Sequence, residues 1–198
     1  MIGPALLRRL YERTLDLAGH RHAIWALAAI SFIESSIFPI PPDVLLIPMV
    51  LAARERAWRI AWVCTLASVL GGIAGYGIGY FLFETVGQPL LAFYGYAERF
   101  TRFSAAYNEW GAWIVAGAGL TPFPYKVITI ASGVTGLDLP TFIVASIASR
   151  GLRFFIEAAL LWRFGAPIRT FIDRYLAWLT AIFFAGLLGG FVAVRYVL

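Results

Sequence analysis

Charged residues are scarce in this sequence. Only 14% of its 198 residues are charged and 61% are hydrophobic, whereas a soluble domain carries about 25% charged residues. A soluble core of this length cannot bury so much apolar surface, but a lipid bilayer can. The 16 basic and 11 acidic residues leave a net charge of +5. They are scattered between apolar runs rather than gathered on one face, which argues against a nucleic-acid partner.

Reactive side chains are also few. The single cysteine, Cys64, lies inside an apolar run, so the sequence has no disulfide framework and no cysteine-based metal site. The two histidines, His20 and His22, lie outside the predicted membrane segments, which excludes a Ser–His dyad or a zinc site within them. No GxGD or HExxH motif is present. The sequence therefore predicts a membrane protein that is not an enzyme and that needs no metal or other cofactor.

Apolar runs of full membrane-spanning length are fewer than this composition suggests. Residues 60–83 and 176–194 are uncharged and approach or exceed the roughly 20 residues that cross a bilayer. Residues 139–162 are long enough but contain three charges. The other apolar stretches are about eleven residues long, which as helix covers about 16 Å, half of a ~30 Å hydrocarbon layer. They predict re-entrant hairpins at 23–53 and 111–137, each made of two half-helices.

The remaining segments complete an all-α membrane protein. Residues 1–22 predict an amphipathic helix at the membrane interface, and the loop 84–110 predicts a second one. Arginines flank the first hairpin on both sides and return at 163–174, whereas three glutamates oppose two arginines in 84–109. By the positive-inside rule, 54–59 and 163–174 are cytoplasmic and 84–109 is outside. Residues 23–165 form the predicted core of the protein, and residues 176–194 predict a C-terminal transmembrane helix.

The two predicted hairpin tips repeat one another. Residues 39–44 (PIPPDV) align with residues 122–127 (PFPYKV), and each motif is followed by apolar residues, a short break and a long helix. The predicted topology gives the two copies opposite orientations. Inverted repeats with broken helices that meet at the midplane are typical of transporters, and the breaks mark the binding site. The predicted tip residues are Pro39, Pro41, Pro42, Pro122, Pro124 and Tyr125.

Six charged residues are predicted near the middle of the membrane. Each costs about 2.5–3.5 kcal/mol on insertion scales, so six must pair with one another or line water. Three of them recur on one stripe of a helix, which is predicted to face the tips. The set forms either a structural ion-pair network or a pathway for substrate and protons. Its members are Glu34, Asp43, Lys126, Arg150, Arg153 and Glu157.

Two further features carry specific predictions. Lys126 is the only lysine in the chain; it is either a positive partner for a phosphate or carboxylate, or a proton carrier, because a buried lysine can lose its proton. Glu34 and Asp43 are candidate proton carriers, since desolvation favours the neutral carboxyl. Gly71, Gly75 and Gly79 recur every four residues and predict a face for close helix packing.

Taken in order along the chain, several of these motifs resemble the DedA, or VTT-domain, family of membrane proteins, and most closely its YqaA-like subgroup. The motifs are residues 32–34, 39–43, 71–79 and 121–133. The resemblance implies two facing re-entrant loops in a multi-pass protein of the bacterial cytoplasmic (inner) membrane. It also implies lipid translocation, either flipping of polyprenyl-phosphate carriers or scrambling of phospholipids, with dependence on the proton motive force.

The resemblance also assigns residues. The family's membrane-embedded acidic pair matches Glu34 and Asp43. Its second loop usually carries two arginines flanking a proline. Lys126 matches one of them, whereas an uncharged residue near Gly119 or Leu120 occupies the other position. One phosphate partner is therefore missing, unless Arg150 or Arg153 replaces it.

The leading hypothesis is a flippase or scramblase for an anionic lipid such as a polyprenyl phosphate or a phospholipid. A proton-coupled exchanger of small ions is the alternative within transport. An assembly factor that transports nothing is an alternative of another class. The expected partners are the membrane, a lipid with an anionic headgroup and protons, and the sequence leaves a homo-oligomer open.

Overall fold

A computed structural model describes residues 22–37, 41–121 and 123–165. Throughout these residues the regular structure is helical and no strand occurs. In chain order the helices are α1 (Ala23–Ser36), α2 (Asp43–Ala52), α3 (Ala57–Leu82), α4 (Gln88–Tyr94), α5 (Ala97–Glu109), α6 (Gly111–Leu120), α7 (Tyr125–Val134) and α8 (Leu139–Phe164). The predicted interfacial helix at 1–22 and the predicted C-terminal helix at 176–194 lie outside the described residues, except for His22.

Two helical segments are long and apolar enough to cross a membrane. One is the continuous helical run Arg54–Tyr94, which contains α3, and the other is α8. At 1.5 Å per residue, the 26 residues of α3 or of α8 extend about 39 Å, which exceeds the ~30 Å hydrocarbon layer. Such helices satisfy all their backbone hydrogen bonds internally, as lipid requires. By length and composition, each of these two segments could therefore cross a membrane.

The α8 helix begins at a well-formed cap. The Asp138 carboxylate accepts hydrogen bonds from the backbone nitrogen and the hydroxyl of Thr141, at 2.9 and 2.7 Å, and Pro140 occupies the first turn. These bonds stabilise the charged carboxylate, so they lower the pKa of Asp138. The cap fixes where the long helix starts, and hence how far from its first turn the buried charges lie.

Four helices are too short to span. Helices α1 and α2 have 14 and 10 residues, and α6 and α7 have 10 residues each. Prolines interrupt each pair: Pro42 precedes α2 and Pro124 precedes α7. Proline has no backbone N–H and disfavours helix in the residue before it, which explains the breaks. The helices coincide with the half-helices expected at 23–53 and 111–137.

The long helices provide the surfaces on which the short ones pack. Helix α1 packs on α3, and α6 packs on α8. Helix α7 packs mainly on α3, while α2 contacts both α8 and α3. Two apolar clusters result. One contains Leu27, Leu46 and Phe154, contributed by α1, α2 and α8, together with residues of α3; the other contains Val115 and Tyr125, contributed by α6 and α7, together with residues of α5 and α8.

The glycines of α3 lie at its contacts with neighbouring helices. A Cβ on Gly71 would collide with the backbone carbonyl of Phe32 in α1, and one on Gly79 would collide with that of Ile130 in α7. A Cβ on Gly75 would meet the hydroxyl of Thr129 in α7. These three residues let the backbones of α1 and α7 approach α3 closely, which is the role that their spacing predicts.

The loop predicted at 84–110 differs from the expected single amphipathic helix. A π-helical turn, Phe83–Gly87, continues α3 into α4, and a break at Gly95 separates α4 from α5. Gly95 has a φ of 69°, a left-handed conformation that favours glycine and that ends α4. The apolar residues keep a helical spacing on both sides of Gly95. Their pattern therefore does not predict a break that depends on the backbone conformation of one residue.

Candidate functional site

Arg150 connects three helices at the centre of the described structure. Its side chain is 1% exposed. Its Nη2 donates to Oε2 of Glu34 in α1 at 3.1 Å, and its Nε donates to Oγ of Ser68 in α3 at 2.6 Å. The Ser35 hydroxyl donates to the same Glu34 oxygen and is 2.7 Å from the Ser68 hydroxyl. Arg150, Glu34 and the two serines therefore form one closed polar cluster.

Aromatic rings enclose the Arg150 guanidinium. Its carbon lies 4.9 Å from the centroid of Tyr125 in α7 and 4.7 Å from that of Phe154 in α8. The two rings belong to different apolar clusters, so Arg150 lies between them. Ring faces are negative and attract a desolvated cation. The guanidinium nonetheless retains a donor, since its buried Nη1 has no hydrogen-bond partner among the described residues.

A second charged group lies further along α8. Arg153 donates from Nη2 to Oδ2 of Asp43, the first residue of α2, at 2.9 Å, and both side chains are less than one-fifth exposed. Glu157, one turn beyond Arg153, is 8% exposed and reaches hydrogen-bonding range of the Asp43 carboxyl. The α8 stripe of Arg150, Arg153 and Glu157 therefore faces α1 and α2, the two helices predicted to form the first hairpin.

Lys126 stands apart from this network. It lies in the first turn of α7 and is half-buried. Its backbone carbonyl accepts a hydrogen bond from the Thr129 hydroxyl at 2.9 Å, and the same hydroxyl lies 3.2 Å from the Ser35 carbonyl. Within the described ranges its ammonium has no ion pair or hydrogen bond. The structure thus brings five of the six predicted charges into two contiguous groups, and Lys126 is the exception.

The predicted tip residues occupy different environments. Pro42 is buried and Pro41 is exposed before α2; Tyr125 is buried and Pro124 is exposed before α7. Pro39 and Pro122 lie outside the described residues. Tyr125 donates from its hydroxyl to Ser146 of α8, so this tip residue joins α7 to α8 as well as packing on Arg150. In the part of the chain that the structure describes, no group of His, Cys, Asp or Glu is placed to hold a metal ion.

Three participants were not predicted from the sequence as partners of the charges. Ser35 and Ser68 complete the cluster around Glu34, and Phe154 covers the Arg150 guanidinium. Ser68 precedes Gly71 and Gly75 by three and seven positions, so it lies on the same face of α3 that packs on α1. A hydroxyl on a close-packed glycine face was the signal that could have identified it.

The short paired helices and the buried charges define a class, that of helical membrane proteins with charged groups held inside the bundle. Residues 40–163 match the model of the VTT domain. The chain therefore belongs to the VTT-domain, or DedA, family of membrane proteins, and its relatives are consistent with the YqaA-like subgroup. The family is associated with transport and is not known for enzymes.

Similar proteins extend over most of the chain. An uncharacterized protein of Haemophilus influenzae is 37% identical over 168 residues, which is 83% of this chain and 87% of that protein. An uncharacterized protein of Histophilus somni is 37% identical over 177 residues, 87% of this chain and 92% of that protein. One from Methanocaldococcus jannaschii is 23% identical over 133 residues, 67% of this chain and 79% of that protein. No solved structure matches.

Family membership gives the position of Gly119 a particular interest, since the resemblance expects an arginine near it. The site of a Cβ on Gly119 is filled by the Ser149 side chain and lies 3.6 Å from Cδ of Arg150. A larger residue at 119 would displace this part of α8. The space where an arginine of the second loop would begin is therefore occupied by the Ser149 side chain, next to the stem of Arg150.

Proposed function

We propose that this protein transports an anionic lipid across the membrane, as a flippase or scramblase. The observation that carries the proposal is Arg150, a cation enclosed between the half-length helices α1 and α7 with one donor unused. A buried charge in a membrane protein marks a substrate or ion pathway more often than a structural element, because the bilayer makes it costly. A phosphate group is a natural ligand for an unused guanidinium donor.

The packing of the short helices supports re-entrant hairpins arranged as an inverted repeat. Each hairpin places its first helix on the long helix that follows it, α1 on α3 and α6 on α8. Each also extends its second helix to the long helix of the other half, α2 to α8 and α7 to α3. Two hairpins that exchange contacts in this way bring their tips together, and transporters of this kind bind their substrate where broken helices meet.

The unused donors of Arg150 and Lys126 favour an anion over a cation. Arg153 is paired with Asp43, and Arg150 is paired with Glu34 but retains Nη1. Lys126 adds an ammonium that no described residue pairs. Arg150, from α8, replaces the arginine that the family usually carries in its second loop. The anionic headgroup of a polyprenyl phosphate or a phospholipid is the ligand of matching charge.

The membrane that suits this role is the bacterial cytoplasmic membrane, crossed more than once. Arg54 and Arg56 precede α3 and Arg59 lies in its first turn. By the positive-inside rule, these three arginines support a cytoplasmic location for this end of the helix. Helix α8 then returns to the same side. The relatives from Haemophilus and Histophilus are consistent with a bacterial setting.

A proton-coupled exchanger of small ions is the second candidate, and it is favoured by the acidic groups Asp43 and Glu157. The two transporters differ in what they move. An exchanger changes the pH inside sealed vesicles when its ion is supplied and leaves labelled lipids in their leaflet. An assembly factor changes neither quantity.

The test is reconstitution into vesicles that contain a trace of a fluorescent anionic lipid, with flipping followed by quenching of the label from outside. The wild-type protein is expected to expose the inner-leaflet label faster than protein-free vesicles. Arg150→Gln is expected to slow this to the protein-free rate, and Arg102→Gln, on the exposed face of α5, is the matched control. Equal rates with and without the wild-type protein would refute lipid transport.

A further inference from the structure

Two carboxyl groups from different helices lie together at a largely buried position. Asp43 begins α2, and Glu157 is on α8, where it is 8% exposed. The Glu157 carboxyl lies within hydrogen-bonding range of the Asp43 carboxyl. Each group also has one buried oxygen, Oδ1 of Asp43 and Oε1 of Glu157, that accepts no hydrogen bond from any described residue. Buried oxygens of ionised carboxylates rarely remain without donors.

The neighbouring charged groups do not supply the missing donors. Arg153 donates to the other oxygen of Asp43, Oδ2. Arg150 donates to Glu34 and Ser68, and its remaining donor, Nη1, forms no hydrogen bond to either carboxyl group of the pair. The titratable group of α3 that faces the pair is the thiol of Cys64, which is buried and close enough for an electrostatic interaction with both carboxyl groups. Arg153 is thus the arginine that hydrogen-bonds to this pair of carboxyl groups.

Two ionised carboxylates in contact repel each other strongly when water is excluded, and such pairs hold one proton between them. A single proton on one of these groups makes it a donor to the other. That one hydrogen bond gives a partner to both carboxyls, and the pair then carries a charge of −1, which Arg153 balances. The proton comes from water, and the O–H bond that forms is the only covalent change.

We propose that Asp43 and Glu157 form a proton-binding site that holds one proton between them. Glu34 does not take part in it, because its carboxylate already accepts hydrogen bonds from Arg150 and Ser35. The proton carriers are then Asp43 and Glu157, rather than the Glu34 and Asp43 pair expected from the sequence.

The site couples to anion binding through charge, and this step rests on the proposed transport function. With the proton bound, the six charged residues carry three positive and two negative charges, a net charge of +1. Without it they are neutral. An anionic headgroup is therefore bound more strongly when the pair is protonated, and its departure favours release of the proton. Such a linkage lets a proton gradient drive the lipid in one direction.

The proton site can be tested without any transport, by infrared difference spectra of the purified full-length protein. At about pH 7 exposed carboxyl groups, with pKa values of about 4, are ionised and do not contribute a protonated-carboxyl band. The wild type minus Glu157→Gln and the wild type minus Asp43→Asn spectra are expected to show that band. The wild type minus Glu34→Gln spectrum, from a matched substitution in the same charge network, is expected to show only the loss of an ionised carboxylate.

The outcomes separate the ideas. Absence of the band from both difference spectra would overturn the proton site, and so would its appearance for Glu34→Gln. Loss of the band in only one of the two pair variants would assign the proton to a single residue and overturn sharing. Folding is checked by size-exclusion chromatography, and either pair variant alone still tests whether a proton is present. If the band behaves as expected but no lipid moves, the transport proposal fails and the proton site stands.

Discussion

Arg150 touches more of the site than any other charged side chain, and its loss leaves Glu34 as an unpaired charge. Removing one partner of a buried ion pair costs about 3–5 kcal/mol. We therefore expect Arg150→Ala to lower the free energy of unfolding by about this amount, measured by unfolding in mixed detergent micelles. The control is Arg102→Ala, which breaks an ion pair with Glu98 whose side chains are about four-fifths exposed; exposed pairs contribute about 0–1 kcal/mol.

The same pair gives a sharper form of this prediction. Replacing both partners by apolar residues removes the unpaired charge, so Arg150→Met combined with Glu34→Leu is expected to recover part of the stability that Arg150→Met alone loses. A double variant at least as unstable as the sum of the two single ones would show that Arg150 and Glu34 do not stabilise each other as an ion pair.

Lys126 distinguishes a fixed positive charge from a proton carrier. If it pairs with the headgroup, Lys126→Arg keeps most of the transport rate, because a guanidinium also binds phosphate. If it releases its proton during transport, arginine fails, because a guanidinium keeps its proton at any accessible pH. Lys126→Ala fails in both cases. We expect near-normal rates for Lys126→Arg between about pH 5 and about pH 8, the range over which a carrier would titrate.

The chemical types in the site could be predicted from the sequence, but their pairing could not. Their position inside apolar runs identifies five residues as site candidates, because a charge in the bilayer is costly unless it is paired or has a function. These residues are Glu34, Asp43, Arg150, Arg153 and Glu157. Which acid meets which arginine depends on how α1 and α2 rotate against α8. That rotation is set by close packing on α3, which leaves no pattern in the charged residues themselves.

The helix contacts made by α3 depend on the absence of a side chain at a few positions. We expect Gly71→Ala to destabilise the protein, because its Cβ would meet the Phe32 carbonyl, a backbone atom that cannot move aside without displacing α1. Gly77→Ala is the matched control on the same helix, since nothing lies within 4 Å of its Cβ position. Alanine is favoured over glycine within helices by about 1 kcal/mol, so Gly77→Ala is expected to be neutral or stabilising.

The melting temperatures of the two variants in detergent measure this difference. Equal changes for Gly71→Ala and Gly77→Ala would contradict the close contact between α1 and α3. The sequence predicted the packing role of these glycines through their regular spacing. It did not predict which helix each glycine contacts. Gly71 meets α1 and Gly79 meets α7, but the spacing of four residues is the same at both positions.

The short helices were predictable for a simple reason, and the loop between α3 and α6 was not. An apolar stretch of about eleven residues ended by prolines and a charge leaves few structures other than a half-length helix. The break between α4 and α5 depends on one residue, Gly95, in an amphipathic pattern that continues on both sides. Local backbone conformation at a single glycine overrides that pattern.

The predicted topology of the whole chain follows from where its arginines lie, and it can be tested by cysteine labelling. Single cysteines introduced as Glu98→Cys in α5 and Arg56→Cys before α3 replace exposed side chains. A membrane-impermeant thiol reagent added outside intact cells is expected to label the first variant and not the second. The native Cys64 is buried and serves as the unreactive background. Labelling of both positions from outside would exclude the inverted repeat.

The central claim is that the protein moves lipids with anionic headgroups, and the most direct measurement compares two lipids in one preparation. Vesicles that contain the wild-type protein receive either a labelled polyprenyl phosphate or the same labelled chain ending in a neutral alcohol, and transbilayer movement is followed by the loss of protected label. The account predicts protein-dependent acceleration for the phosphate lipid, slowed by competition with unlabelled phosphate lipid. No acceleration of the phosphate lipid over protein-free vesicles would contradict it.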